Sequence, residues 1–481
     1  MSSLAYAIPA ARGSLIVFNM LNWKRSALVD FDLEKGREIV DPSTGTTVPV
    51  QVVQRSMKLN RVCFLAADVP AFGYKVYELH RTTLDPQAAE STQTTALENG
   101  YYRIELDTMS GAVRSIYDKQ LGKELVNRQS PYRFGQYLYV SGGDTRPNTL
   151  LQYRTIDLEP KLTIDGARNG RLLLVTHEPY GWVARMQSTD TNTPAIATEI
   201  RLFDGEKKIE FVEDIDKTAV RTREAVYFAF PFAMDHPEFH YEIQNGVVDP
   251  AKDMYPGAGH EWFSVQHWVS ADQDGVSGTV MPLDAPLVTL GDIYRGAWPA
   301  KFGTRSGNIF SYAMNNYWST NYDALQGGHI RLRYVVTSAA STDASALSRM
   351  GWEEATPLEL DEITTQDKAL SPANDRQAKP VSYLTVDDPE LLVEDWKPAE
   401  DGNGAILRFL DLGGAERQVE VHVPLLDLTR AIETDAVERD KRNLPLTGSH
   451  TFRFLIRSRQ IVTVRLIGKH TKQSIRPTHP S

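Results

Sequence analysis

Thr198-Glu-Ile-Arg-Leu-Phe-Asp-Gly-Glu-Lys-Lys-Ile-Glu-Phe-Val-Glu-Asp-Ile215 decides the fold class. Its first arm, Thr198–Phe203, puts Ile200 and Leu202 on one face. Asp204-Gly205 follows, a pair that favours a hairpin turn. From Lys208 to Ile215 the apolar positions resume at Ile209, Phe211 and Val212. Alternation of period two, a turn, and alternation again read as two antiparallel strands.

The same period recurs in both directions. Ala225–Phe232 alternates Val226, Phe228, Phe230 and Phe232 with smaller residues. His329–Thr337 sets Ile330, Leu332 and Tyr334 against Arg331 and Arg333, and Thr451–Ile467 reads as two strands around Ser458-Arg-Gln460. Helical pattern is scarce. Asp343–Glu354 opens on a residue able to cap and continues Ala, Leu, Met, Trp; Leu428–Arg439 is expected as a second short helix. The class that follows is all-β, of sandwich type.

A chain of 481 residues is too long for one ordinary core. Composition shifts divide it into a small β module over residues 1–82, a large central β-sandwich over 95–340, a linker with a short helix over 341–380, and a terminal β module over 381–470. The polar stretch Thr82–Thr95 reads as a linker, and His470–Ser481 as a frayed tail.

With 41% apolar and 24% charged residues the composition is that of a soluble globular protein. A net charge of −10 argues against nucleic acid or an anionic membrane as partner. The single cysteine, Cys63, excludes an intramolecular disulfide and, within Arg61-Val-Cys-Phe-Leu65, reads as a buried apolar residue. No charged leader opens the chain, and no apolar run approaches the roughly 20 residues that span a bilayer. A cytoplasmic location is expected.

Metal chemistry finds little support. His236 and His240 stand four apart, but in a strand that spacing separates them by about 13 Å. His260-Glu261 lacks the following histidine of a zinc-protease helix, since the next is His267. No nucleophile elbow and no phosphate-binding glycine loop occurs. No catalytic residue, no metal ligand and no cofactor is assigned to this chain. Aromatic and amide side chains do cluster in Asn315-Asn316-Tyr317-Trp318-Ser319-Thr320-Asn321-Tyr322, with Arg295 upstream in Tyr294-Arg-Gly-Ala-Trp298. Flat rings and planar amides are the groups that hold sugars. A second cluster, Phe134-Gly-Gln-Tyr-Leu-Tyr-Val-Ser-Gly-Gly-Asp144, ends alternating aromatics in a Gly-Gly turn. Interdomain or core packing is the competing reading of both.

Several ordered motifs resemble one family. Val17-Phe-Asn-Met-Leu-Asn-Trp-Lys-Arg-Ser26 is similar to the opening of the small β module that follows the helix bundle in glycoside hydrolase family 38 α-mannosidases. Asp68-Val-Pro-Ala-Phe-Gly-Tyr74 resembles the strand that closes that module. Glu98-Asn-Gly-Tyr-Tyr-Arg103 and Gly111-Ala-Val-Arg-Ser-Ile-Tyr-Asp-Lys119 resemble the start of the family's large sandwich. Gly291-Asp-Ile293 and Asn315-Asn-Tyr-Trp318 look like motifs of a bacterial branch.

The resemblance implies a large galactose-mutarotase-like β-sandwich (a supersandwich) flanked by two smaller β-sandwich modules. It implies an α-mannoside glycan as ligand, a role in mannose metabolism, and a partner in a catalytic barrel, domain or chain, that carries zinc and the nucleophile. The present chain is expected to lack that half and to be inactive alone. One contact carries over: Gly135-Gln-Tyr-Leu-Tyr139 is similar to a family strand that sends a tyrosine toward the glycan, which makes Tyr137 the matching position. The substrate-binding set expected from cluster and resemblance together is Tyr137, Arg295, Asn315, Asn316, Tyr317, Trp318, Asn321 and Tyr322. Three alternatives stay open: a free-standing glycan-binding module, a structural sandwich with no sugar site, and a hydrolase or lyase built on the sandwich from His267, Tyr294, Arg295 and Tyr322.

Overall fold

The computed structural model describes residues 8, 10, 13–142, 162–293, 301–317, 323–363 and 380–470. The chain divides into two compact units, one of residues 1–88 and 352–481, the other of residues 89–351.

The second unit is the large sandwich. Its longer sheet has nine described strands, in the order Arg168–Glu178, Gly181–Asp190, Thr193–Phe203, Ile209–Lys217, Gly328–Ala339, Val276–Pro282, Val269–Gln273, Glu238–Ile243 and Gly246–Val248. The hairpin that opened the sequence reading lies at its heart, with Ile200 opposite Phe211 and Leu202 opposite Ile209. These four side chains are fully buried. The alternate positions face outward and pair in charge: Arg201 contacts Glu199 at 2.6 Å and Glu210 at 3.0 Å. Period two therefore becomes one apolar and one charged face. The turn is wider than Asp204-Gly205 suggests, since strand pairing resumes only at Ile209. Lys207 draws the chain aside: its ammonium reaches Asp118 at 2.8 Å and its carbonyl accepts from the Thr337 hydroxyl.

A six-stranded sheet packs against this one, in the order Leu162–Gly166, Gln136–Gly142, Glu224–Pro231, Asn308–Asn315, Leu287–Leu290 and Phe263–Ser264. One face sends Tyr137, Phe228, Phe230 and Ile309 into the common core with Phe211 and Tyr334. The other buries Leu138, Val140, Tyr227, Phe310 and Tyr312 in a second cluster. Glu224–Pro231 is buried at every position, which explains a strand apolar on both faces. Gly135, at φ +76°, starts the strand Gln136–Gly142 where a Cβ would meet the Phe211 ring at 2.7 Å. The expected helix is present as Ala344–Ala355, with Asp343 Oδ1 accepting from Ala346 N at 3.1 Å and Trp268 Nε1 donating to Ser348 at 3.1 Å.

In the first unit, Ser14–Asn19 pairs with Gly73–Arg81 and with Glu359–Glu362, so part of the stretch expected as linker forms a strand of this module. The motif that begins at Val17 is a joint. Asn19 Oδ1 accepts from Leu21 N and Arg25 Nε at 3.0 Å each, and its Nδ2 donates to Trp23 O at 2.7 Å. Arg25 goes on to the carbonyl of Glu353 at 2.9 Å. At Gly73 a Cβ would stand 1.9 Å from the carbonyl oxygen of Val381, so the pairing of Val381–Ser382 with Gly73–Arg81 needs glycine there.

The terminal module is a four-stranded and a five-stranded sheet around Leu407, Phe409, Val421, Phe454 and Val464. Here the expected helix Leu428–Arg439 is replaced by the strand Leu426–Thr434, paired on both sides, with Ile461–His470 and Asp440–Leu444. Burial of Leu428, Ala431 and Ile432 in the sandwich overrides local propensity. Cys63 is buried. Residues 364–379 and 471–481, read as linker and tail, lie outside the described residues. No described helix is long and apolar enough to cross a membrane.

Candidate functional site

The described parts of two clusters singled out in sequence, residues 134–142 and 315–317, lie on strands of the six-stranded sheet or directly next to one. Gln136–Gly142 pairs with Glu224–Pro231, placing Ser141 opposite Glu224, and Glu224–Pro231 pairs with Asn308–Asn315, placing Ala225 opposite Asn315. Ser141 and Asn315–Tyr317 therefore flank the start of one strand, where Glu224 sits, with Tyr139 opposite Val226 and Tyr137 opposite Phe228 further along it.

Glu224 is the centre of a buried polar node. Its carboxylate and the Lys217 ammonium are both fully buried, with Nζ 2.7 Å from Oε1. Asn316 Nδ2 donates to the same oxygen at 3.2 Å and to Val220 O at 3.2 Å. Asn192 Nδ2 donates to Glu224 Oε2 at 3.4 Å and to the Tyr139 hydroxyl at 2.9 Å. Burial, followed by the hydrogen bond to Glu224 and its charge, holds the Tyr139 phenol well above its ordinary pKa, so it stays protonated.

Asn192 belongs to the tight turn Asp190–Thr193 between two strands of the nine-stranded sheet, and takes φ +52° there. Thr193 Oγ1 meets the Tyr137 hydroxyl at 2.6 Å, and Thr218 N donates to Asn192 O at 2.8 Å. The turn is thus tied to the opposite sheet through Tyr137 and Tyr139. Asp190 stands beside it with a fully buried carboxyl. Burial raises its pKa, and Oδ1 accepts from Thr191 N at 2.7 Å.

The expected contacts are more interior than a sugar-facing wall requires. Tyr137 is 2% exposed, Tyr317 1% and Asn316 4%. Asn315 is half-buried and accepts from Tyr317 N at 2.8 Å. The physical reason is that Tyr137 lies on the core-facing side of its strand, edge-on to Phe228 at 5.7 Å. Arg295, Trp318, Asn321 and Tyr322 lie outside the described residues. At the surface of the node are the half-exposed Thr191 and Asn192, the half-exposed Asn315, and the exposed Thr218 and Arg221, the last paired with Asp323.

Lys217, Glu224, Asn192 and Thr193 escape a sequence reading. The signal for the turn was present in Asp190-Thr-Asn-Thr193, but nothing in the sequence pairs Lys217 with Glu224. His267, a suspect for chemistry on the sandwich, is buried with Nδ1 2.7 Å from Glu242. His240 lies 3.4 Å from Asp272. Among the described residues no three His, Cys, Asp or Glu side chains are placed to hold a metal ion.

Two family models match the sequence. The glycosyl hydrolases family 38 C-terminal domain matches residues 97–276, and the family 38 C-terminal beta sandwich domain matches residues 390–464. An α-mannosidase from Enterococcus faecalis V583 superposes with a TM-score of 0.67 over 96% of this chain, at 12% identity. A family 38 protein from Enterococcus faecalis superposes with a TM-score of 0.66 over 96%, at 13% identity. The chain spans 57% and 59% of these two proteins. At that identity the likeness is one of fold. No curated protein matches the sequence.

Proposed function

Because this chain belongs to glycosyl hydrolase family 38 through its C-terminal β region, we propose that its large sandwich is the glycan-facing wall of an α-mannosidase active site. A catalytic barrel, as domain or chain, supplies the bond-breaking groups, and this region alone hydrolyses nothing. The observation that supports the reading is the convergence around Glu224 of Tyr139, Asn316 and the Asp190–Thr193 turn. The wall is made by the turn, the loop 218–223 and Asn315. Its contacts are the amides of Asn192 and Asn315 and the Arg221 guanidinium; Trp318, Asn321, Tyr322 and Arg295, outside the described residues, are proposed as contacts on their chemistry alone. Amides and guanidinium bond neighbouring hydroxyls, and rings cover sugar C–H faces. Tyr137, Asn316 and Tyr317 support this surface from behind.

Titration of the purified chain with α-linked mannobiose, against the matching glucobiose, tests the reading. Saturable weak binding of the mannoside, lost in Trp318→Ala and Asn192→Ala, is expected. Equal response to both sugars, or none, would contradict it. Release of mannose by the chain itself would contradict the division of labour with a barrel.

The burial of Tyr137, Asn316 and Tyr317 favours a second reading, a structural sandwich with no sugar site. In that case neither sugar binds, and the same substitutions change only stability.

A further inference from the structure

We propose that Glu224 is the positioning residue of the wall: the buried Lys217–Glu224 pair sets the Asp190–Thr193 turn and the chain leaving Asn315 in one fixed relation. For its effect on glycan binding the inference rests on the wall reading; for its structural part it does not.

The geometry places three separate stretches of chain on one carboxylate. Oε1 takes Lys217 Nζ at 2.7 Å and Asn316 Nδ2 at 3.2 Å, while Oε2 takes Asn192 Nδ2 at 3.4 Å. The main chain repeats the tie, since Glu224 O accepts from Asn316 N at 2.8 Å. Lys217 also donates to Thr218 O at 2.8 Å, and Thr218 N returns to Asn192 O at 2.8 Å. Each stretch is therefore held twice. A buried ion pair contributes little net stability compared with apolar residues of the same volume. What it supplies here is direction: an acceptor of fixed shape that three amide or ammonium donors must approach from set angles. Glutamine at this position would present its own NH2 to Asn192 on one side or to Lys217 and Asn316 on the other, donor against donor. The node thus requires the carboxylate, not merely a side chain of its size.

Two variants test this. Lys217→Met with Glu224→Gln removes both charges together, so neither is left unpaired in the interior. Asn192→Gly keeps the left-handed turn, which glycine adopts freely, and deletes only the amide arm. Amide hydrogen exchange is read at Thr191, Asn192, Thr193, Asn316 and Tyr317, with the melting temperature and the mannobiose affinity of each variant. The expected result for both is exchange accelerated about tenfold or more at those amides. Amides in Thr193–Phe203 beyond the turn stay protected, the melting temperature falls by no more than a few degrees, and affinity falls several-fold. Undisturbed exchange at the turn in both variants would overturn the proposal, as would loosened amides with unchanged affinity. A wild-type chain that binds no mannobiose would sink the wall reading instead, and exchange alone would then decide the positioning role.

Discussion

The hydroxyl of Tyr137 stands 2.6 Å from Oγ1 of Thr193, and the ring it belongs to is 2% exposed. The bond joins the six-stranded sheet to the turn of the nine-stranded one. Tyr137→Phe is therefore expected to lower stability by about 1 kcal/mol, the net worth of one hydrogen bond, and to leave mannoside affinity near the wild-type value. Urea denaturation and a sugar titration on the same sample check it. A direct sugar contact would give the reverse, with affinity lost and stability kept.

Asn19 serves five partners at once: its Oδ1 accepts from Leu21 N and Arg25 Nε, and its Nδ2 donates to the carbonyls of Trp23, Val69 and Pro70. Asn19→Ala would leave a buried guanidinium with fewer acceptors. The expected cost is about 3 kcal/mol, since an orphaned partner of a charged group loses more than one hydrogen bond. Chemical denaturation measures it. Sugar binding by the large sandwich should be unchanged.

Glu213 makes stability depend on pH in an unusual direction. It points into the core, accepts from Thr198 at 2.7 Å, and burial lifts its pKa well above the ordinary 4.5. The folded state thus holds a proton that the unfolded state releases. Its stabilising contribution is complete below pH 4.5 and is lost as pH rises toward the folded value. Difference melts of wild type and Glu213→Gln from pH 4 upward should show the wild type losing ground, by up to about 1.4 kcal/mol per pH unit. Parallel curves would show that Glu213 ionises in the folded state as it does in the unfolded one.

The fold was legible where burial follows period. Ile200, Leu202, Ile209 and Phe211 alternate, and each faces the core. Asp343 and the Ala, Leu, Met and Trp that follow announced their helix, and the cap is made. The stretch from Leu428 was misread because its pairing partners, Ile461–His470 and Asp440–Leu444, are set by the module and not by local preference. Two of the motifs that resemble family 38 hold structural joints. Asn19 ties a loop, and Asp118 binds Lys207 at 2.8 Å and Ser338 at 2.6 Å. The candidate site was half legible. Aromatic and amide density pointed to both segments. The charged residue that unites them could not be found, because Lys217 and Glu224 stand on strands of different sheets.

The central claim is that the end of the sandwich around Glu224 faces a glycan. Selective 15N labelling of asparagine gives separate side-chain amide signals for Asn192, Asn315 and Asn316, with Asn443 in the terminal module as an internal control. On titration with α-linked mannobiose, the account predicts saturable shifts at Asn192 and Asn315, smaller ones at the buried Asn316, and none at Asn443. Still signals at Asn192 and Asn315, or shifts confined to Asn443, would contradict it.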